Sequence, residues 1–425
     1  MRSFGADHGF QSELWVKRAA REHDRRIAAG NAPRIRSHRV PLYAILLLVA
    51  TSYSCSNGGG SSNPERTGEP VRWAYQQPEN TGDGWVTASL TDVGMDLQPI
   101  TDLINRLHDN QDHLVHSIVI AVDGQLVFEE YFAGRTHPTF GETPIVFDRE
   151  TTHGLSSVTK SFTATLLGRA ITEGYVVNEN QAIFDYLPDY SDLNIGQKSD
   201  VTLRHLVSMS GGLQWDEWSY PLTDLRNDLI AWYRHQGDLN RFVLERPIVA
   251  DPGTVFVYNG GLTNVLGEII GRATGQRLDR YSAPLFARLG IVDFSWYFLR
   301  PEYVYASGDL SMRPRDMAKL GQLYLQRGVW QGEQILSDAW VEASASPAFI
   351  LESGFNGHTG YGYGWWQKSS AYGDGVFAAA GWGDQAIIVV PQFDMVVVFT
   401  GGSYWDAPLL TSHDMMLTYI LPAAR

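Results

Sequence analysis

The sequence is poor in cysteine and lysine. Cys55 is the single cysteine among 425 residues, and one cysteine cannot form a disulfide within the chain. The folded part must therefore be stabilised by its hydrophobic core. Lysine occurs five times, at positions 17, 160, 198, 319 and 368. The sequence also shows no internal repeat.

Several signatures of hydrolases and metalloenzymes are absent. The chain has no Gly-x-Ser-x-Gly, no His-x-His-x-Asp and no His-Glu-x-x-His. These absences argue against the nucleophile elbow and against zinc hydrolases of those types. His113-x-x-His116 is the nearest approach to a metal-binding pair, but it leads into an alternating apolar stretch, which favours packing. We predict no metal and no other cofactor.

The chain is acidic, with a formal net charge of −14. Residues 1–54 hold nine Lys/Arg and four Asp/Glu, so the part that follows carries about −19. This charge argues against nucleic acid as a partner and against binding of anionic lipid by charge. Aromatic residues make up 12% of the chain, which indicates an ordered core and is compatible with an aromatic-lined cleft.

The first 55 residues have the order of a secretory signal peptide. A basic stretch precedes the apolar run 40–50, which is too short to span a bilayer comfortably. Cys55 then resembles the lipobox cysteine of a bacterial lipoprotein, although Ser52 stands where such boxes usually have leucine. We predict a signal peptide over 1–55, lipid attachment at Cys55, a flexible tether over 56–84, and a place in the cell envelope or periplasm. An ordinary signal peptide or an uncleaved anchor is the alternative.

Residues 85–425 predict one folded α+β domain. Alternating or continuous apolar runs predict strands over 117–122, 125–132, 385–390 and 395–400. Apolar residues at helical spacing predict helices over 96–108 and 408–421. The middle, about 155–345, is mostly helical. These patterns favour one antiparallel sheet built from both chain ends and flanked by helices, plus a mostly helical lobe, with a cleft between them.

Ser157-Val158-Thr159-Lys160 begins an apolar helical run and carries the clearest chemistry. If Ser157 lies at a helix N-terminus, Lys160 follows one turn later on the same face. Burial and the helix dipole both disfavour the ammonium form of Lys160, so its amine could take the proton of the Ser157 hydroxyl. The backbone N–H groups of the same helix end could bind an oxyanion. A Ser-x-x-Lys motif alone is weak, since chance produces one in about one such chain in three.

Two later segments complete this set. Tyr258 ends a strand-like run before a predicted helix, and a phenol beside an ammonium could relay protons, since a positive neighbour favours its deprotonation. A core tyrosine with a satisfied hydroxyl is the alternative. Small residues, Ala378-Ala379-Ala380-Gly381, then lead to Trp382 and into an apolar strand, so a substrate could lie against the strand edge.

Together these segments resemble the serine β-lactamase-related hydrolases, which include class C β-lactamases, D-alanyl-D-alanine carboxypeptidases, carboxylesterases and 6-aminohexanoate-dimer hydrolase. The resemblance covers about 90–425 and implies a β-lactamase/transpeptidase-like fold. The matching segments, in family order, are Ser157–Lys160, Leu203–Leu206 with Ser210-Gly211-Gly212, Pro252-Gly253 with Tyr258, Ser307–Leu310 and Arg315–Ala318.

The resemblance also implies roles for individual residues. Ser157 would be acylated, while Lys160 and Tyr258 would share the proton transfers. The backbone N–H groups of Ser157 and Trp382 would form the oxyanion hole. Gly381, Trp215 and Gly260 would contact the substrate, although core packing is an equal alternative for Trp215.

Two departures from the family pattern bear on the substrate. The tyrosine motif is usually Tyr-x-Asn, but here Gly260 is the third residue. The Lys-Thr-Gly motif, whose first two side chains help hold a substrate carboxylate, reads Ala379-Ala380-Gly381. Alanine cannot hold a carboxylate. We therefore expect an exported esterase, or an amidase, acting on small carboxylic esters. A penicillin-recognising β-lactamase or carboxypeptidase and a non-catalytic binding lipoprotein are the alternatives.

Overall fold

A computed structural model of the protein describes residues 73–110, 113–355 and 357–424. The predicted signal peptide, the lipobox cysteine Cys55 and the tether as far as residue 72 lie outside the described residues. Within those ranges, no helix combines the length and the apolar character needed to cross a bilayer.

One compact unit spans Ala74–Arg425, so it includes eleven residues of the predicted tether. Two buried or half-buried contacts attach this stretch. The Tyr75 hydroxyl donates a hydrogen bond to the carbonyl of Val127 at 2.8 Å, and the Lys319 amine donates one to the carbonyl of Asp83 at 2.7 Å.

The strands of the described residues, numbered in chain order, fall into one large sheet and several short pairings. They are β1 (Val86–Thr87), β2 (Val115–Val122), β3 (Gln125–Tyr131), β4 (Ala133–Arg135), β5 (Pro144–Val146), β6 (His153–Gly154), β7 (Phe294–Ser295), β8 (Phe298–Arg300), β9 (Tyr303–Val304), β10 (Ser311–Met312), β11 (Val329–Trp330), β12 (Glu333–Gln334), β13 (Phe349–Phe355), β14 (His358–Tyr361), β15 (Trp366–Lys368), β16 (Phe377–Gly381), β17 (Gln385–Val390) and β18 (Met395–Gly401).

The large sheet joins both ends of the folded chain, in the order β1-β3-β2-β18-β17-β16-β15-β14-β13. The four predicted strands are confirmed as β2, β3, β17 and β18. The sheet is mixed rather than wholly antiparallel, because the short β1 pairs in parallel with β3. Every residue of β2, β17 and β18 is buried, as expected for central strands rich in β-branched residues.

Along the chain, most of the helices fall between residues 155 and 345. The α-helices of the described residues are α1 (Leu97–His108), α2 (Thr159–Thr172), α3 (Leu203–Val207), α4 (Asp228–Arg234), α5 (Leu239–Leu244), α6 (Gly260–Thr274), α7 (Leu278–Arg288), α8 (Pro314–Leu325), α9 (Asp338–Ala345), α10 (Ser412–Met415) and α11 (Leu421–Ala423). Helix α8 packs on β2, β17 and β18, so the mostly helical middle covers the sheet.

Local sequence signals explain where the two terminal helices begin. The Asp96 side chain accepts a hydrogen bond from the Gln98 amide at 2.9 Å and caps α1, as the apolar spacing predicted. The closing helix begins at Ser412, four residues later than predicted. Thr411 and Asp414 form a reciprocal capping box there, which defines the first turn.

Candidate active site

Ser157 lies in the 3-10 turn Ser156–Val158, which continues directly into α2. Its side chain is half-buried, so it is partly open to solvent. The preceding residue, Ser156, has a φ of 46°, which is uncommon for a residue with a side chain. The Leu155 amide donates to the carbonyl of Leu310 at 2.8 Å and so anchors this turn. Such backbone strain is typical of functional sites, where the surroundings hold the chain in place.

The Lys160 amine lies 3.0 Å from the Ser157 hydroxyl oxygen and 2.8 Å from the carbonyl oxygen of Ser307. Only 4% of Lys160 is exposed. Burial lowers the pKa of Lys160 to about 8, although the negative charges of Glu217 and Asp309 oppose the shift. A neutral amine that donates one N–H to Ser307 can use its lone pair to accept the Ser157 proton. The geometry and the proton affinity therefore both suit a general base.

This lowered pKa predicts the pH dependence of any reaction that uses Lys160 as base. The amine is the active form, so kcat/KM should rise with pH, level off above about 8 and fall about tenfold per pH unit below it. Ester hydrolysis measured from pH 6 to 9, after subtraction of the uncatalysed rate, checks the expectation. A flat profile over that range would show that another group is the base.

Tyr258 lies beside this pair. The Lys160 amine is 5.0 Å from the centroid of the Tyr258 ring, and the Ser157 side chain is close enough to Tyr258 to lower the pKa of the phenol. Burial raises the pKa of Tyr258 well above its ordinary value, and the charge of Glu217 raises it further. This differs from the expectation that a positive neighbour would favour deprotonation. Burial and the Glu217 charge both favour the protonated form, so Tyr258 is a neutral phenol that can donate a proton.

The segment before Tyr258 is irregular rather than strand-like, which corrects the sequence-based interpretation. Met209 holds it, because the Val257 amide donates to the Met209 carbonyl at 2.8 Å and the Asn259 amide lies 3.4 Å from the Met209 sulfur. The Asn259 side chain then accepts from the Leu262 amide at 3.0 Å and caps α6. Tyr258 is thus placed by a loop contact on one side and a helix start on the other.

Aromatic rings surround the phenol. Trp366 stacks on Tyr258 at 5.5 Å, and Trp218, which is 46% exposed, meets its face edge-on at 5.4 Å. Tyr258 and Ala380 both pack against the buried cluster of Met209, Tyr361 and Trp366. The strand position that bears a polar side chain in the Lys-Thr-Gly motif is therefore part of an apolar wall.

The end of β16 approaches the Ser156–Val158 turn closely. A Cβ atom at Gly381 would lie 2.6 Å from the carbonyl oxygen of Leu155 and 3.1 Å from the amide nitrogen of Ser157. Only glycine fits there, because both neighbours are backbone atoms. Ser157, Gly381 and Trp382 are all half-buried, so the strand end and Ser157 are both partly accessible to solvent.

His137 belongs to this site, although sequence reasoning did not single it out. Its Nε2 lies 2.8 Å from the Ser156 hydroxyl, and that hydroxyl donates to the carbonyl of Trp382 at 2.9 Å. The Thr139 amide donates to His137 Nδ1 at 3.2 Å, so Nε2 carries the proton. Burial lowers the pKa of His137 to about 4, which keeps the ring neutral. The chain of hydrogen bonds therefore orients the Trp382 peptide.

Comparison with known proteins agrees with this arrangement. The family described as Beta-lactamase matches residues 100–401, well over half of the chain. The chain belongs to the β-lactamase family. Its sequence is 26% identical over 364 residues to the 6-aminohexanoate-dimer hydrolase of Paenarthrobacter ureafaciens, and the match covers 79% of this chain and 86% of that relative.

Solved structures of other proteins share the fold. EstCE1, described as a hydrolase with promiscuous acyltransferase activity, aligns with a TM-score of 0.61 at 16% identity, over 79% of this chain and 99% of its own. A penicillin-binding protein from Bacillus halodurans aligns with a TM-score of 0.56 at 19% identity, over 76% of this chain and 100% of its own. The protein is a serine hydrolase of the β-lactamase family, related in sequence to a 6-aminohexanoate-dimer hydrolase and to putative D-alanyl-D-alanine carboxypeptidases.

Within this family fold, Trp215 and Gly260 both donate hydrogen bonds to Glu217, a residue that the sequence analysis did not single out. Trp215 is 6% exposed and packs in the core, so it does not line an open pocket. Its indole N–H donates to the Glu217 carboxylate at 2.6 Å, and the Gly260 amide donates to the same oxygen at 2.8 Å. The position of Glu217 two residues after Trp215 was visible in the sequence, but no spacing linked it to Lys160.

Proposed function

We propose that the protein is an exported serine hydrolase that cleaves small carboxylic esters, and amides less readily, through an acyl-enzyme at Ser157. The observation that carries the proposal is the pairing of the Lys160 amine with the Ser157 hydroxyl at 3.0 Å beside an apolar strand edge. Export and lipid attachment at Cys55 are supported by the sequence of residues 1–55 alone.

In the proposed reaction the same groups act in both steps, formation of the acyl-enzyme and its hydrolysis. Lys160 takes the Ser157 proton as the oxygen attacks the carbonyl carbon, and the amide N–H groups of Ser157 and Trp382 bind the oxyanion. Tyr258, a neutral phenol close to both groups, donates to the departing alkoxide or amine and is reprotonated from Lys160. A water molecule then attacks the acyl-enzyme by the same steps, which releases the acid and restores Ser157.

The apolar wall supports an uncharged group on the substrate along β16. Ala379 is fully buried, and Ala380 packs against Tyr361 and Trp366. A substrate carboxylate placed there would lose its hydration without gaining a cation or a hydroxyl donor from these two alanines. The carboxyl groups of Glu217 and Asp309, which act electrostatically on Lys160, add further repulsion. Esters and amides without a carboxylate near the scissile bond avoid both effects.

Turnover of p-nitrophenyl acetate and butyrate by the full chain tests the proposal. We expect hydrolysis that Ser157→Ala reduces by about 10³-fold or more, because the nucleophile is lost while the binding surface is kept. A fluorophosphonate probe should label the wild type at Ser157 and should leave the folded variant unlabelled.

Ser199 offers a control, since Ser199→Ala also removes one serine hydroxyl, here from an exposed turn where it donates only to the carbonyl of Gly196. It should still be labelled by the probe. Ester turnover by the wild type that is no higher than that of Ser157→Ala would reject the esterase. Stable labelling by a fluorescent penicillin, or turnover of nitrocefin, would favour the penicillin-recognising alternative.

A further inference from the structure

The space beside Tyr258 holds a carboxylate where the Tyr-x-Asn motif would place an amide. A Cβ atom on Gly260 would lie 3.2 Å from the Glu217 carboxylate and 3.5 Å from the Ser307 hydroxyl. The Ser307 carbonyl is in turn a partner of the Lys160 amine. A side chain on residue 260 would therefore enter the volume next to Lys160 that Glu217 now occupies.

Glu217 is fixed firmly in that volume. One of its carboxylate oxygens accepts hydrogen bonds from the Gly260 amide at 2.8 Å and from the Trp215 indole at 2.6 Å. The Asn227 side chain donates to the backbone carbonyl of Glu217 at 3.0 Å and holds the loop from the other side. The two bonds to the carboxylate tie the Trp215 loop to the first residue of α6, two residues after Tyr258.

We propose that Glu217 is a positioning residue of the proton-transfer pair and takes the place of the absent asparagine side chain. It fixes the Tyr258–Gly260 segment against Lys160 and places a negative charge beside the amine. The inference rests on the proposed function, because it assigns Glu217 a role in the same acyl transfer. Gly260 is then required because a larger residue would displace the carboxylate.

The electrostatics of the site agree with this geometry. Glu217 raises the pKa of Lys160 and that of Tyr258. The other groups that face the Lys160 amine are the carboxylate of Asp309, the phenol of Tyr258 and the hydroxyl of Ser157. When Glu217 loses its charge, Asp309 alone still favours the ammonium form, so the pKa of Lys160 should fall.

The variant Glu217→Gln tests the charge with little change of shape. We expect the acid limb of kcat/KM for p-nitrophenyl butyrate to move to lower pH by about half a unit to one unit. Glu245→Gln is the matched control, since Glu245 is an exposed glutamate in the same lobe whose partner is Arg241, and its limb should not move. A folded Glu217→Gln with an unmoved limb would overturn the inference, because a purely structural residue would alter the rate alone.

A double substitution tests whether the Glu217 carboxylate takes the place of an asparagine side chain at residue 260. Glu217→Ala should lower kcat/KM about 10²-fold, as a small displacement of catalytic groups does. Gly260→Asn alone should also be impaired, since its Cβ would crowd the carboxylate. Adding Gly260→Asn to Glu217→Ala should raise kcat/KM at least about tenfold above that of Glu217→Ala alone. A double variant whose kcat/KM is no higher than that of Glu217→Ala would overturn the proposal that Glu217 replaces the asparagine.

If the variants of Glu217 do not fold, Gly260→Ala provides a second test of the inference. Its Cβ would press on the carboxylate at 3.2 Å, while alanine suits the first turn of a helix. We expect a several-fold loss of kcat/KM, and an unchanged rate would overturn the inference. Wild-type turnover together with unaffected variants rejects this inference alone, whereas a wild type without turnover or probe labelling rejects the proposed function and this inference with it.

Discussion

Replacing Lys160 by methionine is expected to lower kcat/KM for p-nitrophenyl esters by about 10²–10⁴-fold. Methionine keeps most of the length of the side chain and removes the amine that lies 3.0 Å from the Ser157 hydroxyl. The site is buried, so an apolar side chain should be tolerated there and the variant should remain folded. Steady-state kinetics at pH 8.5 and a thermal unfolding curve measure both quantities.

Lys198→Met is the matched control for this prediction. The Lys198 amine donates to the carbonyl of Leu244 at 2.6 Å and is only partly buried, so its loss should leave kcat/KM within about twofold. A folded Lys160→Met that keeps more than a tenth of the wild-type rate would contradict the assignment of Lys160 as the base. Tyr258 would then have to take that role despite its raised pKa.

Replacing Gly381 by alanine is expected to lower kcat by about 10²–10³-fold, the effect of losing one oxyanion donor. The added methyl group would lie 2.6 Å from the Leu155 carbonyl and 3.1 Å from the Ser157 amide, so the strand end and the nucleophile turn must move apart. That movement changes the distance between the Ser157 and Trp382 amides, the two proposed donors. Single-turnover acylation with p-nitrophenyl acetate measures the affected step directly.

Gly271→Ala provides a matched control within α6. Its Cβ would lie 3.4 Å or more from its nearest neighbours, the backbone of Gln276 and Arg277, and that distance is an ordinary contact. We expect normal kinetics and an equal or slightly higher unfolding temperature, because alanine favours helix. A folded Gly381→Ala with wild-type acylation would show that the end of β16 takes no part in binding the oxyanion.

The orientation of the Trp382 peptide depends on residues far apart in sequence. Ser156 donates to the Trp382 carbonyl, and His137 donates to Ser156. Rings of Trp405 and Tyr404 also meet Trp382 edge-on, at 4.7 and 5.2 Å. The turn after β16 is therefore held by the Ser156–Val158 turn and by the segment that follows β18, so both segments help to set the distance between the two proposed oxyanion donors.

Much of the fold could be predicted from local patterns. Central strands such as β2 and β18 are rich in β-branched residues and strongly favour extended structure. The irregular segment before Tyr258 was mistaken for a strand, because its apolar residues resemble one while its hydrogen bonds go to Met209. The closing helix begins where a capping box satisfies its first backbone N–H groups, and the spacing of apolar residues does not indicate that position.

Sequence alone determined the pairing of Ser157 with Lys160, because residues three apart at a helix start must lie on one face. It also indicated Tyr258 and the end of β16, through their order along the chain. Only the tertiary structure decided that Glu217 reaches Gly260, that His137 supports Ser156, and that Tyr258 stays neutral. Those facts depend on how distant loops pack and on how far each charge is removed from water, which no local pattern of residues encodes.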